Sequence, residues 1–277
     1  MRIYAFSDEA SSLLDGQIAV LKRNGLDGTE IRGVDGQNVA AITREKAAEV
    51  IKKLKDNGLK VWSVGSPIGK ILLNAGGFEE HLEQLRHVLE IADILECRNL
   101  RMFSFYIPEG VPYADCKAEV IDRLGRMAET AKGTGIRLCH ENEKGIYGDV
   151  TSRCAELADA FRGRMGFIFD PANFIQCGQD VKSAWEMLGD RVYYMHIKDA
   201  LPDGTVVPAG KGVGHLKEIV TDYLARGGEA LTLEPHLRVF DGLKALERDQ
   251  KTQISENTWP TADAAFDAAC EALKALL

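Results

Sequence analysis

The sequence predicts a single-domain α/β protein, a closed (β/α)8 TIM barrel running over residues 1–277. Three observations lead there. Short runs rich in β-branched and aromatic residues alternate eight times with longer segments of helical period. Such alternation implies parallel strands joined by right-handed crossovers. Eight units in 277 residues match the roughly 250 residues that a barrel of this kind uses. An open doubly wound sheet would call for a glycine-rich turn after its first strand, and here that turn is Ser7-Asp8-Glu9-Ala10-Ser11-Ser12.

The expected strands, in order, are Arg2–Phe6, Gly28–Arg32, Lys60–Gly65, Asn99–Phe105, Ile136–Glu141, Met165–Asp170, Val192–Lys198 and Ala230–Glu234. Before the third lies a helix over 43–57, with Thr43 as N-cap and Gly58 as C-terminal stop. His81 and His87 fall in a helical segment after the third strand and are expected on its surface. A helix over 115–132 precedes the fifth strand. The last helix, 261–276, is apolar at Ala265, Phe266, Ala269 and Leu273. Residues 235–260 are charged and aperiodic, and are expected to form a loop inserted after the eighth strand on the catalytic face.

Composition narrows the function. With 34 Lys+Arg against 42 Asp+Glu the net charge is −8, which disfavours a nucleic-acid groove or a polybasic membrane surface. No apolar run approaches the roughly 18 residues of a membrane helix. Met1–Phe6 enters a strand pattern directly, without a signal-peptide core. The six cysteines are scattered and form no Cys-x-x-Cys motif, so a cytoplasmic protein with reduced thiols is expected.

The chemistry lies in the second half, where four consecutive strands each end on a hard ligand: Glu141, Asp170, His196 and Glu234. Barrel strands converge at their C-terminal ends, so these four meet at one mouth. Each has a structural alternative: Asp170 before Pro171 can cap a turn, His196 can be a hydrogen-bonded core residue, and either glutamate can form an ion pair. Together, three converging carboxylates repel one another and are costly to desolvate unless a cation compensates. Three oxygens and one imidazole suit Mn2+, Mg2+ or Co2+, with Zn2+ and Fe2+ also compatible, and leave open positions for substrate oxygens.

Other residues rank second. Lys198, in phase with His196, either contacts a substrate oxygen or pairs with an acid. Lys211 among glycines resembles an anion cradle before a helix, or belongs to a plain loop. His236 is in phase with Glu234. Glu30 and Arg32 end the second strand and either bind substrate hydroxyls or form an ion pair.

The blocks HENEKGIYGD, FIFDPANF, YMHIKDA with the following GKGVGH, and LTLEPH resemble those of the xylose isomerase-like sugar phosphate isomerase/epimerase superfamily. GTEIRG and VGSPIGK in the first half match as well, so the resemblance covers almost the whole chain. It implies a TIM barrel holding one divalent metal on Glu141, Asp170, His196 and Glu234. In the epimerases it further implies that Glu141 and Glu234 act as acid and base. Asn173 and Ser66 join the substrate-binding candidates. Asn173 stands where ketose 3-epimerases carry a histidine, and Lys211 where an acid is common, so the resemblance leaves the substrate open.

The expected activity is isomerisation or epimerisation of a small sugar, ketose or keto-sugar by proton abstraction beside a carbonyl. A lyase or dehydratase acting on an inosose or keto-glycoside is the nearest alternative. A non-catalytic sugar-binding barrel is a further one, and a homo-oligomer is compatible with all three. A phosphodiesterase of the endonuclease IV type would use three zinc ions and more than the six histidines present.

Overall fold

Eight parallel strands close into one barrel in the computed structural model, which describes residues 1–240, 243, 253–254 and 259–277. The strands are β1 (Arg2–Ala5), β2 (Gly28–Ile31), β3 (Lys60–Val64), β4 (Asn99–Met102), β5 (Arg137–Glu141), β6 (Gly166–Phe169), β7 (Tyr194–Ile197) and β8 (Ala230–Leu233). Each neighbours the next in sequence, and β8 pairs back onto β1, with Arg2 opposite Ala230 and Ala5 opposite Leu233. All eight expected strands are present. Most end a residue or more earlier than expected, because the chain turns off the ladder toward the mouth.

The helices pack outside. Arg44–Asp56 is capped by Thr43, whose hydroxyl accepts from the Lys46 N–H at 3.2 Å. It stops at Gly58, which has φ +73°. The expected helix over 115–132 begins earlier, at Tyr113, and runs to Ala131. The last, Ala262–Leu276, starts on Thr261 as N-cap. A helix over Phe78–Ile94 carries His81, which is buried against expectation; its Nε2 accepts the Gly69 N–H at 2.9 Å. His81 shares the core-facing phase of Phe78, Leu82 and Leu85.

Two apolar regions result. The larger fills the space between strands and helices. The smaller plugs the floor of the barrel with Tyr4, Cys139, Ile168, Tyr194 and Ala230, sealed by Trp62, which stacks on Tyr4 at 5.3 Å. Above that floor the interior becomes polar. Strand alternation delivers Glu141 two residues above Cys139, Asp170 two above Ile168, and His196 two above Tyr194. A bulge in the β2–β3 ladder sets Glu30 opposite Ser63.

Most of the segment expected as an insertion, 235–260, lies outside the described residues. Of its described part, His236, Leu237, Phe240 and Leu243 are buried, and Ile254 bridges to Val206. No helix among the described residues is long and apolar enough to cross a membrane. The six cysteines are unpaired.

Candidate metal and acid–base centre

The four residues expected at the mouth do meet there. One ligand atom from each of Glu141, Asp170, His196 and Glu234 lies within 4.8 Å of all the others, and all four side chains are buried. Asp170 serves two ends at once. It is the N-cap of the helix Pro171–Gln176, with Oδ1 accepting the Asn173 N–H at 2.9 Å, while Oδ2 faces the cluster. His196 turns Nδ1 to Glu141 Oε1 at 2.8 Å and lies 3.8 Å from Glu234 Oε2. Its Nε2 turns the other way, to Glu30 Oε2 at 3.1 Å.

Permanent cations stand between the carboxylates. Arg101 Nη1 is 3.2 Å from Glu141 Oε2, and Arg32 Nη1 is 3.2 Å from Glu234 Oε1. The Lys198 ammonium bridges Asp170 Oδ2 at 3.0 Å and Glu234 Oε2 at 2.7 Å. Even so, the charges do not balance. Among the described buried residues in and beneath the cluster, five carboxylates (Glu9, Glu30, Glu141, Asp170, Glu234) face three permanent cations (Arg32, Arg101, Lys198), leaving two negative charges for a titratable group or a bound cation to meet.

The titrating groups respond to that deficit. Burial, with Glu234 and Glu141 nearby, pushes the Asp170 carboxyl up to about 7 against the pull of Lys198. Burial alone would lower His196, but Glu141 and Glu30 raise it to about 10. Glu234 is held well below the usual carboxylate range despite its burial, chiefly by Lys198, then by His236, His196 and Arg32.

The donor set fits a divalent cation: one such ion cancels the two excess charges, and three oxygens with one imidazole suit a hard ion. Glu141 Oε2 and Asp170 Oδ2 are buried without a hydrogen bond, since Arg101 and Lys198 approach them at ion-pair distance but out of line. Stability does not explain such a cluster, because a buried ionic group can be replaced by packed apolar residues at little cost or with a gain. A second acidic group, Glu9, Glu234 and His236, also draws close. There the Arg32 guanidinium already supplies the cation, 3.1 Å from Glu9 Oε1.

The remaining sequence candidates divide. Lys198, Asn173 and His236 adjoin the cluster: Asn173 Nδ2 is 3.5 Å from Glu141 Oε1, and His236 Nδ1 is 3.0 Å from Glu9 Oε1 and 3.8 Å from Glu234 Oε1. Three are placed differently than expected. Glu30 is 0% exposed beneath His196, with Oε1 accepting the Tyr194 hydroxyl at 3.0 Å. The Ser66 hydroxyl is also buried, donating to the Arg101 carbonyl at 2.5 Å. Lys211 is exposed, and the anion cradled by its glycine turn is the chain's own Asp199, whose carboxylate accepts the Gly210, Gly212 and Gly214 N–H groups at 2.9–3.0 Å.

Three residues of the site were missed. Arg101 was findable, since Asn99, Arg101 and Phe103 share the inward phase of β4. Asn142 exchanges two hydrogen bonds with the Asp170 backbone, both 2.9 Å. Glu9 sits in a short 3₁₀ turn, where no periodicity marks it.

A model of the xylose isomerase-like TIM barrel family matches residues 18–250. No curated protein matches the chain by sequence. Among solved structures, the IOLI protein with a bound zinc atom is 15% identical, covers 100% of this chain and 98% of its own, and has a TM-score of 0.75. The probable 3-DHS dehydratase AsbF of Bacillus anthracis is 16% identical over 99% of both chains, at 0.76. L-ribulose 3-epimerase is 21% identical over 100% of this chain and 94% of its own, at 0.74. At these identities the likeness is one of fold.

Proposed function

Because the chain belongs to the xylose isomerase-like TIM barrel family, we propose that it is an isomerase or epimerase of a small sugar, ketose or keto-sugar that uses one divalent cation. The observation that carries this reading is the buried Glu141–Asp170–His196–Glu234 cluster, in a surround where carboxylates outnumber permanent cations by two. These four residues would hold Mn2+, Mg2+ or Co2+, with Zn2+ and Fe2+ also compatible. When bound, such an ion supplies a Lewis acid beside the substrate carbonyl.

Glu141 and Glu234 are the proton carriers. They close β5 and β8, three strands apart, and reach the mouth from different sides. One takes the proton from the carbon beside the carbonyl, and the other delivers a different proton to the opposite face, so the carbon inverts and the substrate's composition is unchanged. Arg101 and Arg32 each fix one of these carboxylates in place. Lys198, Asn173 and His236 bind substrate oxygens at the rim. The classes of two similar structures, an epimerase and a probable dehydratase, support the choice of carbon-acid chemistry.

The test is a panel of ketoses, inososes and 3-keto-sugars incubated with metal-loaded protein in deuterium oxide. An isomer carrying one deuterium at the inverted or shifted carbon is the expected product. A product lighter by one water would move the site to dehydratase chemistry, and no turnover on any member would contradict the reading.

A further inference from the structure

His196 is held from two sides by carboxylates that do different things. Glu141 shares its Nδ1 with the cluster, whereas Glu30 meets its Nε2 from deep in the barrel at 3.1 Å. Glu30 is not a mouth residue: it is 0% exposed, and its other oxygen accepts from Tyr194, whose hydroxyl also contacts Ser63 Oγ at 3.1 Å. Tyr194 and His196 are two residues apart on one face of β7, so one strand presents two donors to one carboxylate. An ionised carboxylate only accepts hydrogen bonds. The proton on Nε2 is therefore kept in place.

We infer that Glu30 is a positioning residue for the cation site: its carboxylate fixes His196 as the Nε2–H form and so presents Nδ1 as the ring's metal-binding nitrogen. A neutral imidazole has one donor and one acceptor nitrogen, and the partner of one decides the role of the other. The inference rests on the metal reading above and goes beyond it, because it assigns a role to a residue that touches neither ion nor substrate.

Two measurements test it with Zn2+ as the probe. In the zinc-loaded wild-type protein, nitrogen-15 NMR of the His196 ring is expected to find the proton on Nε2 and none on Nδ1. In Glu30→Gln the carboxamide can donate to Nε2 and drive the ring proton onto Nδ1, facing the ion. Its zinc affinity, read by chelator competition, is expected to fall about 10–100-fold. A ring proton on Nδ1 in the wild type, or a folded Glu30→Gln that binds zinc within twofold of the wild type, would overturn the inference alone. Should Glu30→Gln fail to fold, the wild-type ring decides the matter. A wild-type protein that takes up no zinc, manganese or magnesium would overturn the metal reading itself, and the inference with it.

Discussion

Glu141 and Glu234 each pair with a different arginine, and both guanidiniums lie against the same Phe6 ring, Arg32 at 4.5 Å and Arg101 at 5.0 Å from its centre. The two carboxylates are thus fixed in separate places instead of sharing one cation, as two carriers working from different sides require. Glu141→Gln and Glu234→Gln are each expected to lower turnover by about 10²–10⁴-fold in steady-state assays. Near-normal turnover by either variant would end the two-carrier account. The four mouth residues were legible in the sequence because each closes a strand whose alternation fixes its direction. The same phase rule pointed to Arg101, but a mid-strand arginine does not announce itself as a ligand would. Lys211 stayed open between an anion cradle and a plain loop for a physical reason. Glycine N–H groups that cradle an anion give no sign of whether that anion is a substrate or, as here, the carboxylate of Asp199.

Elements were easier to read than their ends. The ladder between β5 and β6 reaches only Glu141 opposite Ile168, and beyond it Asn142 joins the two strands by bonding both the N–H and the carbonyl of Asp170. Nothing in the sequence marks that clamp, since an asparagine after a strand reads as the start of a turn. Asn142→Ala leaves the buried Asp170 N–H unpaired and its carbonyl with only the long bond from the Phe174 N–H at 3.4 Å, and urea unfolding should show a loss of about 1–3 kcal/mol. A loss below about 1 kcal/mol would mean that water or a neighbour replaces the amide. The helix carrying His81 makes a pH prediction. Burial lowers the His81 pKa from its ordinary 6.5, and the ring must stay neutral to accept the Gly69 N–H. The unfolded chain therefore takes the proton first. Stability falls as pH drops from 6.5 toward the lowered folded value and is unaffected by this group above 6.5. The stability advantage of the wild type over His81→Leu, measured by denaturant titration, should be largest above pH 6.5 and shrink on acidification. An advantage that does not vary with pH would contradict this assignment.

At the scale of the whole molecule, the barrel places an apolar plug at one end and a buried acidic cluster at the other. If that cluster takes a cation, folding is tied to metal. Saturation at a hundredfold excess over Kd should stabilise the fold by about 2.7 kcal/mol and raise Tm accordingly, whereas Asp170→Asn should blunt the effect. An unchanged Tm in metal would count against a resident ion. The net charge of −8 should likewise leave duplex DNA unbound at ordinary ionic strength, and tight, salt-sensitive binding in a mobility-shift assay would contradict a sugar-sized substrate. Anomalous diffraction from crystals grown with Mn2+ shows whether Glu141, Asp170, His196 and Glu234 hold one divalent cation. A single strong peak per chain is expected, about 2.0–2.6 Å from one atom of each of the four side chains. A cluster without a peak, or an ion with two of the four residues beyond about 3 Å, would contradict it.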